Sequence, residues 1–516
     1  MDSLDLKLLH YLQENGELNT QQLPPSFKRS ESSIYRRVES INQWLPEGKQ
    51  LIMTKHVVTS CLTYNDYIEA VQSIPFLDYR SSQEERIHFI VIQSLLKGVV
   101  NTSRFFNHLG LSIATKKKDN RYLTEWLDKK DLTKTIARKK GIVVEGQEIY
   151  IRIESTKILM SYLELDAHDK LVLRKANNPM EVLMAEYFLT EVSTEEPKAH
   201  KLIADFMDFY QIEFSYPSKK FLVIYLTIMF FRSKAGKCQT TLIDSRYHPQ
   251  NHFHFVSDEV ENTMLNGLFC AQDTMMATSP MLDIHDQLME ESKRFVEMLQ
   301  SHILTHLYTK ENLIQEIYYF IYKCHIRKNY HFSFYDNKLE DTQRQLPNLY
   351  HLIKESPFIS DVMKLSDDQV STLALLVRKH IMENKLLGRN TKRIVVVTNS
   401  SIEKADFFTA NLNHFLDIEV VKIIHINEIF KLEQLDYDFI LTFSNRLETL
   451  IKEQGFSCKK LNYYFHQQDI DELLQAGFSS SSRRKILAEP LLKQVDTLSK
   501  EDRASWLRHA YPSHFL

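Results

Sequence analysis

The sequence predicts a mainly α-helical protein with several domains, and three observations lead to that fold class. Glycine contributes only 11 of 516 residues, which suits helices because a glycine inside a helix costs about 1 kcal/mol relative to alanine. Apolar residues recur at helical spacing over most of the chain up to residue 390. From Lys392 onward, patterns typical of strands and helices alternate, as in a small α/β domain.

Composition excludes several classes of protein. Hydrophobic residues make up 43% of the chain and charged residues 25%, so the chain is expected to fold rather than remain disordered. It contains no GxGxxG or GxxxxGK[ST] motif, which argues against nucleotide enzymes built on glycine-rich phosphate loops. We expect neither enzymatic activity nor a cofactor. The five cysteines lack CxxC spacing, which favours reduced thiols over a zinc site. The longest apolar run, residues 221–231, is too short to span a bilayer, and no signal peptide is present, so we expect a cytoplasmic protein without a membrane partner.

The first sixty residues predict a helix-turn-helix domain. Leucines share one face of a first helix at residues 4–12, a short second helix is expected within residues 14–24, and a third begins at Ser30. The apolar positions of the third helix turn its hydroxyl and guanidinium side chains outward, where they can reach phosphates and base edges. The candidate DNA-binding residues are Arg29, Ser32, Ser33, Tyr35, Arg36 and Arg37. A solvated charged face on a small helical domain is the alternative interpretation.

A second unit of the same kind follows. Helices are expected at residues 84–98, 102–110 and 111–129, and residues 116–140 hold ten basic and four acidic side chains. Alternating isoleucines at residues 149–153 predict a strand that pairs with residues 142–145 through a turn at Gly146 and Gln147, forming the wing of a winged helix-turn-helix domain. The candidate DNA-binding residues here are Thr115, Lys116, Lys117, Lys118 and Arg121. Two tandem units favour DNA binding more strongly than one.

The rest of the chain divides at composition changes. Residues 156–390 are predicted to be almost wholly helical, and a break near residues 277–283 separates two bundles. A linker is expected at residues 479–485. The predicted domains are residues 1–60 and 61–155 for the helix-turn-helix units, 156–284 and 285–390 for the bundles, 391–490 for the α/β domain, and 491–516 for a helical tail.

The second unit resembles the helix-turn-helix domain of the Mga family, global transcriptional regulators of Gram-positive bacteria related to the anthrax toxin activator. The resemblance depends on residues of the third helix and of the segment after it: Ser112, Thr115, Lys117, Lys118, Asp119, Leu123, Leu127, Gly141, Gly146, Glu148 and Arg152. Lys116 and Asn120 depart from the family pattern, which usually has apolar residues there. The resemblance implies two helix-turn-helix domains, two phosphotransferase-system regulation domains and a C-terminal domain similar to a sugar-transporter IIB subunit, in the order predicted above.

The same resemblance implies regulation by histidine phosphorylation from a phosphotransferase phosphocarrier protein. His200 is the first candidate, and His380 and His325 are weaker ones. An unmodified surface histidine is the simpler interpretation of His200. The helix around residues 317–327 carries Tyr and Phe where related regulators have a histidine ahead of the arginine. His248, His252 and His254 are interpreted as polar loop residues rather than metal ligands.

IIB subunits carry a phosphorylated cysteine after their first strand, but residues 398–401 here are Thr, Asn, Ser and Ser. We therefore interpret the α/β domain as a module for dimerisation or sensing. The overall prediction is a homodimeric or larger transcriptional activator that binds double-stranded DNA chiefly through phosphate contacts, with strong salt dependence and modest base discrimination. Two alternatives remain open: a component of the phosphotransferase system, and a protein-binding adaptor with degenerate helix-turn-helix units.

Overall fold

The computed structural model describes residues 1–21, 30–243, 253–275, 284–302, 310–334, 338–385 and 392–476, with isolated positions between and beyond these ranges. The protein is mainly α-helical and has several domains, as predicted from the sequence. Its residues form two compact units: residues 1–283 with 322–334, and residues 284–321 with 335–516. No helix within the described ranges has the length and apolar character needed to cross a membrane.

The N-terminal domain combines helices with a small antiparallel sheet. Its elements are α1 (Ser3–Asn15), β1 (Glu17–Asn19), α2 (Glu31–Asn42), β2 (Ile52–Thr54) and β3 (Val57–Thr59). The strands pair in the order β1-β3-β2. The predicted third helix is confirmed as α2, with Ile34, Val38 and Ile41 buried. The second helix expected within residues 14–24 is wrong at residues 17–19, where Leu18 is buried and pairs with Val58 as part of the sheet.

The following segment contains four helices and then a hairpin. Its elements are α3 (Tyr64–Gln72), α4 (Gln83–Lys97), α5 (Thr102–His108), α6 (Ile113–Asp128), β4 (Leu132–Ala137) and β5 (Gly141–Gly146). The three helices predicted in this unit are confirmed as α4, α5 and α6. The hairpin lies one strand earlier than predicted, because β5 pairs with β4 rather than with residues 149–153.

Residues 149–153 belong to α7 (Glu148–Met160), so the strand predicted there and the hairpin turn at Gly146 and Gln147 are wrong. Helix α7 is buried on nearly all sides, and its isoleucines therefore alternate with other buried residues instead of marking a single face. A helix enclosed by protein loses the apolar and polar faces that distinguish a helix from a strand in the sequence.

The remainder of the first unit is a helical bundle around α10, whose residues are buried along most of its length. Its elements are β6 (Leu163–Leu165), β7 (Leu171–Leu173), α8 (Pro179–Val192), α9 (Glu196–Tyr210), α10 (Tyr216–Lys234) and α11 (Glu259–Cys270). The β6–β7 hairpin corrects the prediction that residues 156–390 are almost wholly helical. Its turn forms because the Asp166 carboxylate accepts hydrogen bonds from the backbone N–H groups of His168 and Lys170, at 2.8 and 2.9 Å.

The second unit joins helices to a parallel sheet. Its helices begin with α12 (Asp286–His302), α13 (Lys310–Asn329), whose residues from Tyr322 onward belong to the first unit, α14 (Leu339–Gln345), α15 (Pro347–Lys354) and α16 (Asp367–Lys385). The α/β part contains β8 (Lys392–Val397), α17 (Ile402–Phe415), β9 (Ile418–Ile424), β10 (Phe439–Thr442), α18 (Asn445–Glu453), β11 (Lys459–Lys460) and α19 (Gln467–Gln475). The strands are parallel in the order β11-β10-β8-β9, so the predicted alternation of strands and helices is confirmed. The linker at residues 479–485 and most of the tail lie outside the described residues.

Candidate nucleic-acid interface

Helices α5 and α6 meet through a short turn, in the arrangement of a helix-turn-helix motif. Gly110 lies in this turn with a φ of 63°, a conformation that glycine adopts without strain. The Ser112 hydroxyl caps α6 by accepting a hydrogen bond from the Thr115 N–H at 3.2 Å. The turn and the cap together fix where α6 begins and which side chains its first turn presents to solvent.

A buried ion pair fixes α6 against α4. Asp119 is fully buried on the inner face of α6. Its carboxylate accepts hydrogen bonds from Arg86 Nε at 2.7 Å, from Arg86 Nη2 at 3.1 Å and from Gln83 Nε2 at 2.9 Å. Leu123 and Leu127 continue the same buried face. Because a bidentate pair defines orientation as well as distance, Asp119 determines the rotation of α6 about its own axis.

The opposite face of α6 is basic. Lys117, Lys118 and Arg121 are exposed, while Thr115 and Lys116 are half-buried. Lys116 Nζ donates to Asn107 Oδ1 at 2.5 Å, so this departure from the Mga pattern forms a polar link between α5 and α6 in place of an apolar contact. Lys117, Lys118 and Arg121 are therefore the α6 cations available to phosphates.

The wing places a second basic surface beside α6. Strands β4 and β5 are joined by a turn whose Arg138, Lys139 and Lys140 are all exposed. Lys134 braces the hairpin, since its ammonium group donates to the Asn120 carbonyl at 3.1 Å and to Thr124 Oγ1 at 2.8 Å. Burial lowers the pKa of Lys134. The sequence pattern predicts the wing at residues 142–153, after these turn residues, and they are therefore absent from the predicted site. Their position directly before Gly141 is the signal that could have indicated a hairpin turn.

Gly141 allows the wing to approach the start of α5. Val100 and Ile142 exchange backbone hydrogen bonds at 2.8 and 2.9 Å. Gly141 has a φ of 141°, and a Cβ atom built on it would lie 2.0 Å from the Val100 carbonyl oxygen. Only glycine fits this position without moving one of the two backbones.

These features are those of a winged helix-turn-helix domain, and residues 79–155 match the family model of the Mga helix-turn-helix domain. The chain carries an Mga helix-turn-helix domain. The matched segment contains α4, α5, α6 and the wing and ends within α7. The match supports the resemblance to the Mga-like family, although none of the curated proteins matches the chain.

The segment predicted as the first helix-turn-helix unit, ahead of the Mga helix-turn-helix domain, has fewer exposed cations among its predicted contact residues that the structure describes. Ser32 and Arg36 are exposed on α2, whereas Ser33, Tyr35 and Arg37 are half-buried. Arg37 Nη1 lies 2.8 Å from Asp2 Oδ1 and 2.5 Å from Asp5 Oδ1, so its charge is neutralised within the domain. Arg29 lies outside the described residues. Among the predicted cations that the structure describes in this unit, Arg36 is the one best placed to reach a phosphate.

Glu31 connects the start of α2 to the β2–β3 hairpin. Its Oε1 atom accepts hydrogen bonds from Thr20 Oγ1 and Tyr35 Oη, both at 2.5 Å, and lies 2.7 Å from His56 Nδ1. These bonds, the one from Thr20 first, lower the pKa of Glu31 to about 2. Tyr35, a predicted DNA contact, thus serves a structural role in this conformation. The structural role of Glu31 was not predicted from the sequence.

The two predicted arginines of α2 are therefore expected to respond differently to alanine substitution. Arg36→Ala should reduce the slope of log affinity for duplex DNA against log salt by about 1, because one phosphate contact is lost. Arg37→Ala should leave that slope unchanged and lower the free energy of unfolding by about 1 kcal/mol. DNA titrations over a salt series and urea denaturation measure the two effects. Equal changes of slope in both variants would contradict the assignment.

The three candidate phosphorylation sites differ in accessibility. His200 lies on α9 with a side chain that is 30% exposed and its Nε2 3.2 Å from Glu196 Oε1. His325 is half-buried in α13. His380 is only 3% exposed, with its Nε2 3.2 Å from Glu316 Oε2. A carrier protein can approach His200 in this conformation, whereas His380 would first have to leave its carboxylate partner.

Two further predictions concern loops. His248 and His252 lie outside the described residues, and His254 is exposed. No cluster of three or more His, Cys, Asp or Glu side chains suited to a metal occurs among the residues the structure describes. In the α/β part, residues 398–401 connect β8 to α17, where the resemblance to a IIB subunit places its cysteine.

Proposed function

We propose that this chain is a transcriptional regulator of the Mga type that binds double-stranded DNA through α6 and the wing, assisted by α2. The observation that carries the proposal is the exposure of two basic groups, Lys117, Lys118 and Arg121 on α6 and Arg138, Lys139 and Lys140 at the wing. Most of these cations extend into solvent from an ordered scaffold. Such a surface fits the phosphates that flank a groove occupied by a helix.

Several finer features belong to the same proposal. The protein activates transcription globally, acts as a symmetric dimer or larger oligomer, and responds to a phosphocarrier protein through His200. A partly exposed imidazole beside Glu196 is the geometric support for that choice. A phosphoryl group there would bring up to two negative charges next to a carboxylate, and the repulsion would change how α9 packs locally.

DNA binding is tested by a salt titration of the full-length protein on a labelled duplex. We expect the affinity of the wild type to fall steeply between about 50 and 200 mM salt. The triple variant Lys117→Ala/Lys118→Ala/Arg121→Ala should bind more weakly and reduce the salt slope by about 2 to 3, since each lost phosphate contact removes about 0.9.

A matched control removes the same charge elsewhere. Lys170, Lys201 and Lys293 are exposed and lie outside the two N-terminal domains. Their triple alanine variant should keep the wild-type slope. Wild-type protein that fails to bind duplex DNA, or two triple variants with the same slope, would refute the proposed interface.

A further inference from the structure

The wing carries an exposed apolar side chain, that of Ile136. Ile136 of β4 is 81% exposed. It shares a face of the strand with Leu132, which is buried, and with Lys134, whose ammonium group rests on α6. Ile136 therefore lies on the same side of the hairpin as Lys134, two residues nearer to the tip.

The fold does not account for this side chain. Its cross-strand partner Ile142 is buried against the start of α5, so the hairpin is anchored from the other strand. Burying an isoleucine is worth about 1.5–3 kcal/mol, and Ile136 forgoes most of that stabilisation. Single exposed apolar residues are common on protein surfaces, but this one lies next to the exposed cations Arg138 and Lys139.

The first hairpin repeats the combination. Ile52 and Met53 of β2 are 59% and 37% exposed, and the following turn carries the exposed Lys55. Both hairpins thus present an aliphatic side chain within three residues of a basic turn. A polar residue at either position would make the protein more soluble if that position contacted only solvent.

We propose that Ile136 enters the minor groove of bound DNA and partly unstacks a base step there, an inference that rests on the DNA binding proposed above. With α6 in the major groove, a hairpin beside it reaches the neighbouring minor groove along the duplex. The phosphates that line this narrow groove attract Arg138, Lys139 and Lys140, and the aliphatic side chain displaces water from the base edges. Proteins that insert an apolar residue in this way kink the duplex at flexible steps such as TA.

The consequence is base preference without base-specific hydrogen bonds. Unstacking a step costs a few kcal/mol, and pyrimidine–purine steps cost the least. Ile136 therefore favours duplexes with a TA or CA step under the wing, while the surrounding cations bind any sequence.

The test uses a duplex that carries the fluorescent base 2-aminopurine at several TA steps, saturated with full-length protein. We expect wild type to increase the fluorescence, because unstacking relieves quenching by neighbouring bases. Ile136→Ala should lose most of that increase and keep the wild-type salt slope. Thr135→Ala is the control, since Thr135 is also exposed but lies on the other face of the strand.

The possible results distinguish the insertion of Ile136 from the DNA binding on which it depends. Wild-type protein that does not bind DNA overturns both. Wild-type protein that binds without a rise in fluorescence, or an Ile136→Ala variant with the full rise, overturns the role of Ile136 alone. An unchanged thermal melting curve for Ile136→Ala establishes that the variant is folded, as expected for a side chain with so few contacts.

Discussion

Replacing Asp119 with alanine is expected to lower the free energy of unfolding of the N-terminal part of the protein by about 3 to 5 kcal/mol, because the substitution leaves the Arg86 guanidinium buried without its carboxylate. Both groups of the pair are almost completely shielded from solvent. Urea denaturation monitored by tryptophan fluorescence measures the change, since Trp126 lies on α6.

The same substitution should also abolish specific placement of α6 on DNA. Lys117, Lys118 and Arg121 are retained in the variant, so a loss of affinity would report the orientation of the helix rather than its charge. Asp128→Ala is the control: it removes an exposed carboxylate from the same helix, and its effect on stability should be within about 0.5 kcal/mol. A fully stable Asp119→Ala variant with wild-type DNA affinity would contradict the role assigned to the pair.

A double substitution sharpens this test. Replacing Arg86 with methionine together with Asp119→Leu removes both charges and keeps apolar volume at the site. Buried ion pairs replaced in this way often lose little stability. We expect the double variant to be more stable than Asp119→Leu alone, which has the same volume at residue 119, and this difference would attribute the loss to the unpaired guanidinium.

The second large effect is expected at Arg152, the fully buried centre of an ionic network in the first unit. Arg152 donates to Glu148 Oε1 at 3.0 Å and to both carboxylate oxygens of Glu261 at 2.8 and 2.9 Å. Arg232 donates to Glu148 and also to the Leu95 carbonyl, at 2.9 Å, near the end of α4. The network therefore joins the Mga helix-turn-helix domain, through α4 and α7, to α10 and α11 of the bundle.

Arg152→Leu should lower the free energy of unfolding by about 3 to 5 kcal/mol, because it leaves the buried Glu261 carboxylate without an arginine and Glu148 with Arg232 alone. Arg174→Leu is the matched control. Arg174 is one-third exposed and lies 3.5 Å from Glu181, so its loss should cost no more than about 1 kcal/mol. Urea denaturation of both variants provides the comparison. Similar losses in the two variants would show that the network is not an important source of stability.

Sequence patterns predicted those features that local periodicity determines. The buried positions of α2 follow from one apolar residue every three or four positions, and the structure confirms them. The parallel strands from Lys392 onward were predictable because short apolar runs alternate with amphipathic segments.

Features that depend on distant residues could not be predicted. Asp119 carries a charge and looks like a surface residue until Arg86, 33 positions earlier, is placed beside it. Arg37 looks like a DNA contact until α1 brings Asp2 and Asp5 within reach. Helix α7 has the sequence pattern of a strand because tertiary contacts bury it on almost every side, which removes its amphipathic pattern.

The central claim is that α6 and the wing touch DNA, and photo-crosslinking tests it most directly. A benzophenone amino acid is placed at residue 117 or 139 of the full-length protein, and at residue 201 as the control, and each protein is irradiated with a labelled duplex. We expect covalent protein–DNA adducts at residues 117 and 139 that disappear at high salt, with little or none at residue 201. Absence of adducts at both interface positions, or equal yields at residue 201, would contradict it.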